Sequence, residues 1–195
     1  LSLHDALPIC INSKANLVDI AHNIPPQNIE HAAFILNSAY KFFPKDTIHI
    51  VVVDPGVGTD RKALLLVTPN GMFIAPDNGV LSHVLIENGT ILPNNKEFLE
   101  PLIVKVPLNC ETYELNNPKY WLEIVSNTFH GRDIFAPMAA YLSLGILPKV
   151  LGKSIDNMVC LNIPNPIIKD NRLVGHVTHV DHFGNLITKI KGDYL

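Results

Sequence analysis

The chain of 195 residues holds only three cysteines, one tryptophan and 17% charged residues. Each scarcity removes a class of protein. Cys10, Cys110 and Cys160 stand far apart with no C-x-x-C, so neither a disulfide framework nor a zinc knuckle is expected, and a reduced cytoplasmic setting fits. A formal net charge of -3 leaves no basic stripe, which argues against nucleic acid as a partner. No apolar run approaches the roughly 20 residues that span a bilayer, so no membrane role is expected. The signatures G-x-G-x-x-G, G-x-x-x-x-G-K-[ST] and G-x-S-x-G are all missing, and dinucleotide, P-loop and α/β-hydrolase chemistry lose their support. Residues 1–10 have neither an initiator Met nor the basic start of a secretory signal and read as non-native sequence.

What is present is a core-forming composition, 47% hydrophobic. Asn16–Ile20 reads as a short strand, and Gln27 to Phe43 carries apolar residues at helical spacing, ended by Pro44. Ile48–Val53 reads as a buried parallel strand, which makes a β-α-β unit. Lys62–Val67 and Gly71–Ala75 flank Thr68-Pro69-Asn70 as a hairpin. Asp77 is the expected N-cap of a helix that Gly89 stops, and Leu102–Val106 is a further strand. Asn109–Ser126 has no clear period and reads as an inserted excursion. A helix through Ile134, Met138 and Leu142 ends at Gly145, with Pro137 in its first turn. Past Pro148, Arg172–Asp181 and Asn185–Lys191 alternate as an antiparallel pair. The expected architecture is α/β: residues 11–150 form a Rossmann-like N-terminal domain with a mostly parallel sheet. Residues 165–195 begin a small all-β barrel domain.

The most informative stretch is Asp54-Pro55-Gly56-Val57-Gly58-Thr59-Asp60-Arg61. A strand ends on a carboxylate, a Gly/Pro turn follows, and a cation comes seven positions later. Ligands of open α/β sheets gather outside the carboxyl ends of strands. By itself the segment is equally an Asp that caps a turn beside a surface Arg. His130, on a loop just before a helix, is the natural third group: a neutral imidazole beside a carboxylate can orient or deprotonate a water. A loop His is otherwise a simple hydrogen-bonding residue. His176-x-x-His179-x-x-His182 falls on a strand, where positions three apart face opposite ways, so no metal site is expected there. Asp181-His182-Phe183-Gly184-Asn185 is a hairpin tip, yet its acid, aromatic and amide suit an ammonium group and a flat ring.

Together these segments resemble the S-adenosylmethionine hydroxide adenosyltransferases, adenosine-forming hydrolases related to the fluorinating and chlorinating enzymes that use the same substrate. The matching stretches are residues 18–26, 51–61, 75–79, 129–133 and 180–185, in the family's order, and the resemblance spans roughly residues 11 to 195. It implies a Rossmann-like domain followed by a β-barrel domain, and a homotrimer with each site between neighbouring subunits. It assigns the water-activating trio to Asp54, Arg61 and His130. Asp181 corresponds to the acid that holds the methionine ammonium, Phe183 and Asn185 to the adenosine contacts, and Gly131 joins the substrate-binding set. Halogenating relatives carry other residues, such as Tyr, at the Asp and His positions, so retention of all three favours water as nucleophile. The implied reaction converts S-adenosylmethionine to adenosine and methionine, with the sulfonium compound as substrate and no cofactor. The alternatives are a halogenase and a non-catalytic module that binds an adenosyl compound. The family's opening Thr-Asp-Phe-Gly-type strand has no counterpart in residues 1–10, and the barrel's closing part does not follow Leu195. A chain clipped at both ends is the resulting expectation.

Overall fold

The computed structural model describes residues 8–92, 100–163, 165–190 and 192. In chain order its elements are α1 (Pro8–Ile11), α2 (Ile29–Ala39), β1 (Ile48–Ile50), β2 (Ala63–Thr68), β3 (Gly71–Pro76), α3 (Ser82–Glu87), β4 (Leu102–Lys105) and β5 (Glu111–Glu114). A π-helical turn (Gly131–Phe135) then runs into α4 (Ala136–Ser143) and α5 (Pro148–Leu151). The remaining strands are β6 (Lys153–Ser154), β7 (Asn157–Cys160), β8 (Ile167–Lys169), β9 (Arg172–Val174), β10 (Val177–Val180) and β11 (Leu186–Thr188).

The main sheet has the order β1-β3-β2-β5-β6. It is mixed rather than mostly parallel: β1 runs parallel to β3, while β2–β3, β2–β5 and β5–β6 are antiparallel. The reason is local. Two residues, Pro69 and Asn70, join β2 to β3, and so short a loop permits only an antiparallel partner. Asn109–Ser126 is no excursion, because it supplies β5, which registers against β2 from Leu64↔Glu114 to Val67↔Glu111. Smaller two-stranded ladders pair β4 with β7, β8 with β9 and β10 with β11.

Strand β2 carries the core. Leu64, Leu65 and Leu66 are fully buried, and alternation sends them to opposite faces. Leu64 and Leu66 pack with Leu36, Tyr40, Val84 and Leu85 of the α2–α3 side. Ala63 and Leu65 pack with Phe135, Met138 and Leu142 of the α4 side. Burying each leucine contributes about 1.5–3 kcal/mol. A strand covered on both faces explains why its sequence is a continuous apolar run.

Other expectations shift for physical reasons. Residues 16–20 form no strand, and Val18 and Ile20 are exposed. Helix α2 begins after Gln27, whose φ of 65° no helix accepts; Asn28 caps it by accepting the His31 N–H at 2.9 Å. Asp77 does not cap α3: its Oδ1 accepts the Val159 N–H at 2.8 Å and ties β7 to the end of β3. Burial leads the causes that raise its pKa. β1 is half-buried and its regular pairing stops at Ile50, with Val51 N–H still donating to Ile74 O at 3.0 Å. Arg172–Asp181 divides into β9 and β10, and β9 turns back on β8 through Asp170 and Asn171, both at positive φ. The β10–β11 hairpin rests on α2, where His179 stacks on Phe34 at 4.3 Å and meets His31 edge-on at 4.5 Å. Among the described residues, no helix is long and apolar enough to cross a membrane.

His49 of β1 is a buried titratable group, 4% exposed, stacked on Phe73 at 4.9 Å, with no hydrogen-bond partner for Nε2. Burial lowers its pKa to about 4. The unfolded chain therefore binds a proton that the folded chain refuses. The stability due to neutral His49 is complete above the ordinary histidine pKa and falls as pH drops from 6.5 towards 4. Its loss between pH 7 and 4.5 is about 2 kcal/mol. Urea unfolding of wild type and His49→Phe at both pH values checks this, and equal acid sensitivity in the two proteins rejects it.

Candidate active site

The extended chain beyond β1 delivers Asp54 to the end of the sheet. Asn78 steadies this run, since its Nδ2 donates to Val53 O at 2.8 Å. A compact turn follows: Val57 N–H donates to Asp54 O at 3.2 Å, and Thr59 donates to Gly56 O through N–H (3.1 Å) and Oγ1 (2.6 Å). The turn brings Arg61, two residues before β2, back onto the carboxylate that opened it.

Arg61 Nε lies 2.9 Å from Asp54 Oδ1 and 2.8 Å from Oδ2, and Nη2 also donates to Oδ2. The two side chains are only 9% and 5% exposed. The same Nη2 reaches His130 Nδ1 at 2.8 Å, across 69 positions of sequence. Below, the guanidinium sits over the Phe135 ring, 5.2 Å from its centroid, and Phe135 is fully buried. Asp54, Arg61 and His130 therefore meet as one cluster. A planar guanidinium can do this because its fork presents several donors in fixed directions.

The cluster determines the state of the imidazole. A guanidinium only donates, so His130 Nδ1 accepts and the neutral ring carries its proton on Nε2. Burial and then the Arg61 charge lower the His130 pKa, opposed by Asp54, Asp133 and a hydrogen bond with the Ser126 backbone. His130 directly precedes the π-helical turn, of which Gly131 is the first residue.

The expected substrate-binding turn stands apart. Asp181 Oδ1 accepts the N–H groups of Phe183 (2.9 Å) and Asn185 (2.8 Å), and Oδ2 accepts Asn185 Nδ2 at 2.7 Å. The Asn185 hydrogen bonds, led by its side chain, lower the Asp181 pKa. Phe183 is 87% exposed. Among the described residues no hydrogen bond or ion pair joins this turn to Asp54, Arg61 or His130. Ser126, Phe135 and Asn127 also shape the site. No sequence signal marks Ser126 or Asn127, because Asn127 meets the turn through its carbonyl and Ser126 works through its N–H and through local hydrogen bonds of its Oγ; Phe135 sits one helical turn after Gly131 and was legible only as core.

Gly58 has φ +79°, and a Cβ built on it would lie 2.6 Å from Asn127 O. The Asp54–Arg61 turn thus packs its backbone directly against the loop that leads to His130. Gly58→Ala should cost at least about 2 kcal/mol, from left-handed strain and the forced retreat of a main-chain oxygen. Urea unfolding measures it, and a change below about 0.5 kcal/mol contradicts the close approach.

Residues 6–152 match the model of the SAM hydroxide adenosyltransferase N-terminal domain. The chain is 33% identical over 174 residues to the (R)-S-adenosyl-L-methionine hydrolase of Salinispora arenicola, covering 88% of this chain and 59% of that protein. It is 25% identical to the fluorinase of Nocardia brasiliensis, covering 94% of this chain and 64% of that one. The crystal structure of an uncharacterized conserved protein from Thermotoga maritima is similar, with a TM-score of 0.80 and 37% identity over 95% of this chain and 64% of that chain. The chain spans 57–62% of the length of the hydrolases it matches. By the match over residues 6–152, it belongs to the SAM hydroxide adenosyltransferase family.

Proposed function

We propose that the protein containing this chain hydrolyses S-adenosyl-L-methionine to adenosine and L-methionine. The observation that carries the reading is the cluster of carboxylate, guanidinium and imidazole at Asp54, Arg61 and His130. The hydrolase relatives, at 32–33% identity, also stand nearer than the fluorinases at 24–26%.

The chemistry asks little of an acid catalyst. The substrate's sulfur is cationic, so it leaves as a neutral thioether when the ribose C5′–S bond breaks, and no Lewis acid or redox group is required. What the reaction lacks in water is an oxygen nucleophile held in line with that bond. A water that displaces the direct Arg61 Nη2–His130 Nδ1 hydrogen bond, the two side chains moving apart to admit it, accepts a hydrogen bond from the guanidinium and donates one to the imidazole. As its oxygen attacks C5′, its proton passes to Nδ1, and Asp54 holds Arg61 while offsetting the new imidazolium charge. Attack of a hydroxide-like oxygen on a cation cancels charge, which a site with little water favours. Correct placement alone supplies roughly 7 kcal/mol in well-oriented systems.

The remaining assignments belong to the same proposal. Asp181 receives the methionine ammonium, Phe183 and Asn185 contact the adenosine part, and Gly131 lets the substrate pass close to the backbone. The turn at 181–185 meets the trio of a neighbouring subunit in a homotrimer, consistent with its separation from the trio within one chain. Residues 11–150 act as a Rossmann-like domain, the hairpins from 165 onwards begin a β-barrel domain, and the protein works in the cytoplasm.

Incubation of the full-length protein with S-adenosylmethionine should release adenosine and methionine in equal amounts. Appearance of 5′-chloro-5′-deoxyadenosine with chloride, and no adenosine, overturns the hydrolase reading. His130→Ala should lower kcat by about 10²–10⁴-fold with KM little changed. Because burial and the Arg61 charge lower the His130 pKa, the acid limb of kcat should lie below the ordinary histidine value of 6.5. An acid limb above pH 6.5 contradicts this. Asp181→Ala should raise KM, and a selective loss of kcat argues against its anchoring role.

A further inference from the structure

Asp133 is fully buried, yet the reaction as derived does not use it. Its Oδ2 accepts the Ser126 N–H at 2.8 Å and Arg132 Nη2 at 3.2 Å, and its Oδ1 accepts Arg132 Nε at 2.6 Å. Its backbone takes part as well: the carbonyl accepts the Leu122 N–H and the N–H donates to Phe129 O, both at 2.9 Å. One residue therefore gathers both ends of the 122–129 loop onto the π-helical turn. Ser126 passes the constraint on, since its Oγ accepts the N–H groups of Thr128 (3.0 Å) and Phe129 (3.2 Å). Those residues immediately precede His130 in the chain, so the hold on Ser126 fixes the main chain from which the imidazole projects. Burial opposes the charge on Asp133, but Arg132 and the Ser126 N–H outweigh it and hold the carboxyl below the usual carboxylate range.

We propose that Asp133 is a positioning residue for His130, acting through the main chain of Ser126 to hold the imidazole with Nδ1 facing Arg61. The inference rests on His130 being the working imidazole of the site. Packing also holds the loop: Val125 lies against the α4-side core, the Phe129 ring lies 5.1 Å from the Arg132 guanidinium, and Asn127 O backs onto Gly58. A hydrogen-bonded buried carboxylate supplies direction, which packing alone does not. A histidine's orientation and tautomer are commonly set by such outer partners.

Two variants separate positioning from general support of the fold. Asp133→Ala removes the acceptor for Ser126; Asp133→Asn keeps an acceptor of the same shape and loses the charge. Nitrogen-15 NMR of the ring, assigned with His130→Ala, reads the tautomer directly and needs no turnover. Wild type should show neutral His130 protonated at Nε2. Asp133→Ala should give a mixed tautomer and a kcat lowered by about 100-fold, the usual consequence of a misplacement near 1 Å, with KM within about threefold. Asp133→Asn should keep the Nε2–H tautomer and recover most of the lost kcat. An unchanged His130 tautomer and pH–rate profile in Asp133→Ala, even with a lower Tm, overturns the proposal. Should Asp133→Ala fail to fold, Asp133→Asn decides the matter: a mixed tautomer there, with the amide in place, is also a refutation. Wild-type protein with the ordered tautomer but no release of adenosine rejects the reaction and leaves the positioning role standing.

Discussion

Arg61 is the hinge of the arrangement. Its guanidinium is held bidentately by Asp54, lies over Phe135 and donates to His130, so three separate parts of the chain meet on one planar group. The ion pair is nearly dry, and removing one partner of such a pair typically costs about 3–5 kcal/mol because the other charge is stranded. That penalty is what keeps the 54–61 turn closed. It also gives the imidazole its acceptor role, because a group that can only donate leaves Nδ1 no alternative.

The scaffold explains how so polar a cluster stays ordered. The sheet is covered on both faces, by α2 and α3 on one side and α4 on the other, and β2 threads its centre. β1 and β2 both lead to the 54–61 turn, while the π-helical turn projects His130 from the start of α4. A π-helical turn carries one residue more per hydrogen-bonded ring than an α-helix, a feature frequent at functional sites. Here it allows His130 to face Arg61 while Phe135 packs beneath the same guanidinium and Asp133 is drawn inward.

Much of the fold was legible because local rules and tertiary packing agree. The hairpin at 69–70, the helix stop at Gly89 and the β10–β11 pair follow from turn chemistry and alternation. The disagreements share a cause. Asp77 has the composition of a helix cap but satisfies a strand N–H from residue 159, and Asn109–Ser126 lacks internal period because its order comes from β2. The parallel character was overestimated because Val51–Val53 look like a central strand, although regular pairing ends at Ile50. Asp54, Arg61 and His130 were legible as a set through family resemblance and chemistry together; Asp133 and Ser126 were not, since a hydrogen bond to a main-chain N–H leaves no pattern in side-chain types.

The order of residues alone determined that two apolar strands run into a Gly-rich turn flanked by an acid and a cation, and that a histidine precedes the helix around Pro137. These are short-range facts, written in spacing and backbone preference. Only the folded chain decided that the histidine stands beside the cation, that its Nδ1 accepts, and that a buried carboxylate three residues on gathers the loop before it. Such choices depend on contacts between residues far apart in sequence, where solvent exclusion and the direction of each donor, not local propensity, select the arrangement.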